Sequence, residues 1–516
     1  MSNRGLPPTM IVDERDVQAG ASVTRGTSRD CALDLIVVVV TALFVHASQL
    51  TLLPIRGEES RWARVAVEMR QTGDWFVPRQ QGEPFLSRPP LHSWLMAVAG
   101  TALGELTIAA VRLPSVLAVV GTSIVVFLYG RSFLDRSIAL VAGLAFPTMG
   151  QVLELGRRGE SDAVFAFFLS SALLIWHLGW ERGWPKTWTW IVGYALTALA
   201  TLTKGVQAPT YFLGGVGIFL VVTGQLRRWF ARDHLFGVAA FVIVFGAWQI
   251  PFAAHLGWDG VRRIWLWEVG LRFEDPSAPS LAVHWLLYPM ELFISTLPWS
   301  IFLVGFVPPK RRRALKPLPP QALFLLGAMG LAFFSCWLVR GSQTRYLMSM
   351  YPMVALLAGY VVHRTMNTHA MDCKGQLLWL APARVRLTAI VVALCLGAGN
   401  AGIVLPLMAG ASEDMSSAVH ELKTRIPAEQ PLVSFGPVHH IFAFHYEAPI
   451  QLLAWPRRPA DVPPFVDYFC FHQKQGQEKL LPFSWEQIGV LSCDRVRRAQ
   501  PREMMVIGRR TRSVPG

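Results

Sequence analysis

Carboxylates and guanidinium groups crowd the hydrophilic stretch after the first apolar run. It reads Arg56-Gly-Glu-Glu-Ser-Arg-Trp-Ala-Arg64, then Glu68-Met-Arg70, Gly73-Asp-Trp-Phe-Val-Pro-Arg79 and Gly82-Glu-Pro-Phe-Leu-Ser-Arg-Pro-Pro90. Arg64 and Glu68 stand four apart, on one face of a helix, and Gly73, Pro78, Gly82 and Pro84 break up the chain beyond it. Similar groups recur between later apolar runs: Arg157, Arg158, Glu160 and Asp162; Lys204 in Leu202-Thr-Lys-Gly205; Glu268, Arg272, Glu274 and Asp275 before His284; and Arg340 with Arg345. Ionisable groups at membrane depth are costly and face a cavity or a partner. Two acids, Glu58 and Asp162, among several cations suit a phosphate and an acid–base reaction. The competing account is structural: ordinary ion pairs, Arg and Lys204 snorkelling to headgroups, His284 packed at a helix end. Both accounts stay open at this level.

The elements that must position these groups are membrane helices. The chain has 516 residues, 52% hydrophobic and 16% charged, with 19 Trp and 30 Phe, and a mean hydropathy of +0.37. A soluble domain carries roughly 25% charged residues, so a string of soluble domains is excluded, as are disorder, coiled coil and collagen. Apolar runs fall near 32–53, 109–130, 137–154, 160–179, 188–203, 205–224, 234–254, 284–307, 321–340, 345–363 and 386–410. That makes about eleven spans of a bilayer core. Leu91–Leu103 is too short to cross and is expected to lie in the interface or re-enter. Trp184, Trp188 and Trp190, and Trp258, Trp265 and Trp267, read as interface belts.

The net charge of +14 taken alone suits nucleic acid, but its placement matters more. Cations cluster at Arg131/Arg136, Arg182/Lys186, Arg227/Arg228/Arg232, Lys310–Arg313 with Lys316, and Arg364/Lys374/Arg384/Arg386. With an odd number of spans and an N-terminus inside, all five clusters share one side, which makes that side cytoplasmic. The expected layout is a cytoplasmic tail 1–31, a transmembrane unit 32–410 with a large outer loop 54–108, and a periplasmic domain 411–516 in a bacterial inner membrane. Strand-like runs Leu432–Phe435 and Ile450–Leu453 make the last part a small α/β domain, with His439 and His440 expected at its surface. Cys470 and Cys493 would sit in an oxidising compartment where they could pair. Cys31, Cys336, Cys373 and Cys395 are expected to be reduced or packing thiols. No Walker or Rossmann glycine loop and no cysteine metal spacing occurs, so no nucleotide-driven engine is visible.

In this order, the motifs resemble those of the GT-C polyprenyl-phosphate-sugar transferases, in particular the 4-amino-4-deoxy-L-arabinose lipid A transferases and, more distantly, protein O-mannosyltransferases. The pieces that carry the resemblance are Glu58-Glu-Ser-Arg-Trp62, Gly73-Asp-Trp-Phe-Val-Pro78, Gly82-Glu-Pro84 and Arg88-Pro-Pro-Leu91. Further pieces are Arg157 with Asp162, Leu202–Gly205, Glu268 with Arg272-Phe273, Leu297-Pro-Trp299 and Arg345-Tyr346 followed by Tyr351-Pro352. They run in order over roughly residues 30–365, and the first-loop string is the specific part.

The resemblance implies a GT-C fold and transfer of a sugar from a polyprenyl-phosphate donor to lipid A, another glycolipid, a polysaccharide or a protein, at the periplasmic face, by a monomer. It implies Glu58 and Asp162 as catalytic carboxylates and Arg88, Arg272 and Lys204 as donor-phosphate ligands. Arg61, Trp62, Arg157, Glu268, His284, Arg345 and Tyr346 would line the substrate pocket. Three departures matter. The family's leading Asp is Glu58, a methylene longer, which moves an oxygen by more than about 1 Å and makes Glu59 a rival. A Glu that ligates metal in some members is Ser87 here, so no cofactor is predicted and a divalent metal is left open. The turn usually reading Lys-Leu-Pro-His-Tyr is Ser342-Gln-Thr-Arg-Tyr346, which points to a different donor sugar or acceptor. A transporter or flippase of lipid-linked sugars is the alternative; the absence of an internal repeat and the charge at one face rather than mid-depth favour the enzyme. An inactive lipid-binding homologue is the third reading.

Overall fold

The computed structural model describes residues 28–273, 280–306, 315, 317–372, 382–427, 429–477 and 479–511. Seven helices among them are long and apolar enough to cross a membrane, and three shorter apolar helices accompany them. The protein is a multi-span helical membrane protein with a small sheet domain at its C-terminal end.

The first span, α1 (Ser28–Ala47), leads into a hydrophilic segment built of α2 (Glu59–Thr72), a two-stranded ribbon β1 (Arg79–Gln80) and β2 (Glu83–Pro84), and α3 (Leu91–Ala102). Arg64 and Glu68 share one face of α2 as their spacing implies, and the pair closes at 2.9 Å with both side chains almost fully buried. Helix α3 has 12 residues, about 18 Å at 1.5 Å per residue, too short to cross a bilayer.

The bundle continues with α4 (Ile108–Gly130), α5 (Arg136–Ala145), α6 (Gly150–Leu155), α7 (Ser161–Glu181), α8 (Lys186–Lys204) and α9 (Gln207–Val222). Where a single span over 137–154 was expected, a 3₁₀ turn at Phe146–Thr148 separates α5 from α6. Pro147 supplies no backbone N–H there, which interrupts the helical ladder. Helix α10 (Arg232–Phe273) is broken at Gly257, whose φ of +63° is left-handed and open to glycine. Then come α11 (Leu281–Ser295), α12 (Pro320–Trp337) and α13 (Tyr351–Asp372), the last preceded by a 3₁₀ stretch, Thr344–Met350. The final span is α14 (Pro382–Gly399), a π-helical turn at Asn400–Val404, and α15 (Leu405–Ala411). The core is apolar side chains from α4, α5, α7, α9, α12 and α13. At the end holding the basic loops, Arg136 ties α5 to Asp34 of α1 through two nitrogens, at 2.6 and 3.0 Å.

Beyond Ala411 the chain forms α16 (Ser416–Arg425), β3 (Leu432–Phe435), α17 (His440–Tyr446), β4 (Gln451–Leu453), β5 (Tyr468–Lys474), β6 (Trp485–Ser492) and β7 (Glu503–Arg510). The sheet order is β4-β3-β5-β7-β6, parallel between β3 and its two neighbours and antiparallel thereafter. Both strand-like runs read from the sequence are strands. The two cysteines do not pair: Cys470 and Cys493 are buried free thiols. Burial pushes both thiols up, Cys470 to about 12, so neither is a ready thiolate. Cys373 lies outside the described residues.

Candidate active site

The site is assembled from the hydrophilic segment outward. Gly57, with φ +61°, makes the left-handed turn that ends the approach from α1, and Glu58 sits at the N-cap of α2. Further along the helix, Arg64 also donates from Nη1 to the Glu447 carbonyl of the sheet domain at 2.7 Å. Its partner Glu68 accepts backbone N–H bonds from Gln81 at 2.5 Å and Gly82 at 3.0 Å. These two residues form the ribbon turn, both at positive φ, so one buried carboxylate fixes the ribbon against the helix. Downstream of the ribbon, Arg88 reaches the Lys204 carbonyl from Nη1 at 3.3 Å.

A cavity of about 300 Å³ opens among these elements, lined by Glu58, Arg61, Trp62, Ser87, Arg88, Ser161, Asp162, Lys204, Gln343, Arg345, Tyr346 and Arg495. Asp162, in the first turn of α7, is 1% exposed and receives Lys204 Nζ on Oδ1 at 2.5 Å and Arg345 on Oδ2. Arg345 also contacts Glu160 Oε2. Lys204 Nζ lies 5.1 Å from the Tyr346 ring centroid, within the range of a cation–π contact. Glu58 is different: its partner is Arg61, at 3.2 Å, and both side chains are more than a third exposed. Trp62 packs edge-on against Phe85 at 5.6 Å and forms part of the wall.

Five cationic side chains therefore face two carboxylates. Asp162, with each oxygen aimed at a cation, serves to hold Lys204 and Arg345 in place. Glu58, solvent-accessible at the mouth, is the carboxylate able to take a proton from an incoming group. The arginines offer planar forks suited to phosphate oxygens. A divalent ion does not fit: position 87 carries a serine, both carboxylates are engaged by cations, and no cluster of three His, Cys, Asp or Glu side chains able to hold a metal occurs among the described residues.

Residues 87–252 match the model of the family described as dolichyl-phosphate-mannose-protein mannosyltransferase. The chain is 29% identical over 350 residues to the undecaprenyl phosphate-alpha-4-amino-4-deoxy-L-arabinose arabinosyl transferase of Pseudomonas aeruginosa, covering 64% of this chain and 60% of that protein. It is 27% identical over 317 residues to the enzyme of the same name from Edwardsiella ictaluri, covering 60% of this chain and 55% of that one. The chain thus spans less than two thirds of the length of these relatives. Among solved structures, ArnT from Cupriavidus metallidurans bound to undecaprenyl phosphate superimposes with a TM-score of 0.66 at 16% identity, over 93% of this chain and 97% of that one. The chain has the fold of ArnT.

Within that fold, eight of the residues singled out from the sequence meet at one cavity: Glu58, Arg61, Trp62, Arg88, Asp162, Lys204, Arg345 and Tyr346. Three lie elsewhere. Glu59 is fully buried and gripped by Arg112, Nε to Oε2 at 2.8 Å and Nη2 to Oε1 at 3.0 Å, while the Gly159 N–H donates to Oε2 at 2.9 Å. With both oxygens engaged away from the cavity, Glu59 is a clamp between α2 and α4. Arg157 turns from the cavity to donate to the carbonyls of Ser48 and Gln49, at 2.8 and 2.6 Å. His284 is buried against Tyr288 with its Nε2 3.3 Å from the Cys336 carbonyl, a packed histidine. The side chains of Arg272 and Glu268 lie outside the described part of the chain.

Arg495 is the site residue that sequence reading missed. It comes from the sheet domain, on the loop after β6. That loop is clipped to the end of the last span by an isolated bridge between Ser412 and Val496 and by Arg497 N–H donating to the Ala411 carbonyl at 2.9 Å. A Cβ built on Gly57 would lie 3.3 Å from the Arg495 guanidinium. The basic run Arg495-Val-Arg-Arg498 was the available signal, but nothing local says that it folds back onto the first loop. Nor are His439 and His440 surface residues. His440 Nδ1 is 2.7 Å from Ser60 Oγ of α2, and burial lowers both imidazoles, His439 to about 4 and His440 to about 2.

Proposed function

We propose that this protein is a membrane glycosyltransferase that moves a sugar from a polyprenyl-phosphate donor to a cell-envelope acceptor at the periplasmic face of a bacterial inner membrane. Its relatives bear the name undecaprenyl phosphate-linked aminoarabinose transferase, which makes lipid A the first acceptor to try. Other glycolipids, polysaccharide and protein are the further ones. The observation that carries the reading is the cavity in which one accessible carboxylate, Glu58, stands among five cations.

In this mechanism the bond between the anomeric carbon and the carrier phosphate oxygen breaks, and a bond to the acceptor oxygen forms. The acceptor hydroxyl gives its proton to Glu58. The polyprenyl phosphate leaves carrying the extra negative charge, which Arg88 and Arg495, with Lys204 and Arg345 held by Asp162, stabilise as it develops. Trp62 and Tyr346 wall the sugar. The chain acts as a monomer in this reading, with the basic loops in the cytoplasm and the sheet domain outside.

Purified protein incubated with radiolabelled undecaprenyl-phosphate sugars and envelope lipid should move label to lipid. Glu58→Gln and Asp162→Asn should each abolish the transfer. Parental transfer rates in both variants would refute the assignment of the cavity. Uptake of the labelled carrier lipid across a vesicle membrane, without any transfer, would favour a flippase instead.

A further inference from the structure

A second cavity, of about 400 Å³, lies on the other side of the first loop, between α6, the turn into α2 and the last span. One wall is cationic: Arg56, Arg112, Arg157 and Arg158. The opposite wall includes Leu153, Leu405 and Met408. Arg112 is neutralised by Glu59. The others are under-partnered, although Arg56 is only 9% exposed and Arg157 only 4%. Arg56 Nε, Arg157 Nη1 and Arg158 Nε are buried donors that meet no acceptor, and so is Asn400 Nδ2, on the π-helical turn. A buried donor without a partner loses its hydration and gains nothing in return. Burial, aided by neighbouring guanidinium groups, lowers Arg56 and Arg157 to about 10.

The carboxylates nearby do not fill the gap. Glu154, itself on the cavity lining, accepts from Arg158 Nη2 at 2.5 Å with half its side chain in solvent. Glu160 Oε1 stands 3.6 Å from Arg158 Nη1, and its Oε2 faces Arg345. Glu160 is thus divided between Arg158 and Arg345.

We propose that this second cavity binds the phosphate of an anionic membrane lipid. The charge calls for an anion with several acceptor oxygens, and phosphate supplies them to guanidinium forks. The apolar wall distinguishes a lipid from a free phosphate. Ile403, Val404 and Leu407 of the last span are exposed on the same stretch as Leu405 and Met408, so acyl chains can lie along α14 and α15 while the headgroup enters between Arg56 and Asn400. A choline headgroup would bring a further cation to four arginines, so the lipid carries net negative charge. The proposal is independent of the donor-cavity reading, because it uses no residue of that cavity.

The test is native mass spectrometry of the full chain, delipidated in detergent and titrated with phosphatidylglycerol, phosphatidylcholine and, as competitor, inorganic phosphate. Phosphatidylglycerol should bind roughly tenfold more tightly than phosphatidylcholine, the scale expected for charge-assisted hydrogen bonds. Arg56→Gln should remove most of that preference. Met408→Trp, which keeps every charge and fills the apolar side, should weaken phosphatidylglycerol by a similar factor and keeps the test available should Arg56→Gln not fold. Equal binding of the two lipids, or undiminished phosphatidylglycerol binding in Met408→Trp, overturns the proposal. Displacement by millimolar inorganic phosphate assigns the site to a soluble anion and overturns it too.

Discussion

Replacing Glu58 by glutamine keeps the size of the side chain and removes its ability to take a proton. The side chain is 37% exposed and its partner Arg61 40% exposed, at 3.2 Å, so the lost ion pair is an open one of about 0–1 kcal/mol. A general base contributes about 10²–10⁴ in rate, or about 3–5 kcal/mol in the barrier. Glu58→Gln should therefore lose transfer by that factor with an unchanged melting temperature. Glu59→Gln, one residue on, should do the reverse. Its carboxylate is 0% exposed against an Arg112 that is 3% exposed, and breaking such a pair leaves a buried charge at a cost of about 3–5 kcal/mol. The assay is single-turnover transfer of labelled sugar, with thermal unfolding in the same detergent. A stable, inactive Glu59→Gln beside a fully active Glu58→Gln would refute the reasoning and move the base to Glu59.

Gly57→Ala forces an L side chain into left-handed backbone, at about 1–2 kcal/mol, and presses on Arg495 from 3.3 Å; transfer should fall and carrier-lipid affinity weaken, measured as KM for the donor. Arg495→Ala should also raise KM for the donor severalfold with little change in melting temperature; an unaltered KM would remove the sheet domain from the site. His439 and His440 are held below the ordinary histidine value of about 6.5, so the unfolded chain binds more protons than the folded one as pH drops below about 6.5. Stability should thus fall from pH 7 toward pH 4, by up to about 1.4 kcal/mol per pH unit for each histidine, and His440→Gln should flatten the melting-temperature profile over that window. Cys470 and Cys493 should react with iodoacetamide only after denaturation, without prior reduction; a requirement for reductant would show a disulfide.

The helical class, the amphipathic start of α2 and the short α3 were legible in the sequence because each rests on periodicity or length. Asp162, Lys204 and Arg345 were legible as charges that membrane depth makes expensive, and Glu58, Arg61 and Arg88 through the first-loop string that carries the resemblance. What the sequence could not rank was which carboxylate is clamped. Glu58 and Glu59 are adjacent and chemically alike, and they differ only in which way a helix N-terminus points them: one toward the cavity, the other at Arg112, 53 residues away. The break at Pro147 was available from the residue type but masked by continuous hydropathy on both sides.

The sheet domain was the least legible part, for a reason that bears on function. Its contacts with the first loop are single polar pairs, His440 with Ser60 and Arg64 with the Glu447 carbonyl, backed by packing of α17 on α2. No local pattern encodes pairs 380 or 383 residues apart. Yet these pairs set the position of Arg495, because its loop is fastened at one end to the sheet and at the other to the end of the last span. The cavity is therefore completed by tertiary docking. An interface of part-buried polar pairs beside the packing of one short helix, two of its histidines held neutral by burial, opens more readily than the apolar bundle core. If donor binding needs Arg495, conditions that loosen the docking will weaken donor affinity before they unfold the membrane helices.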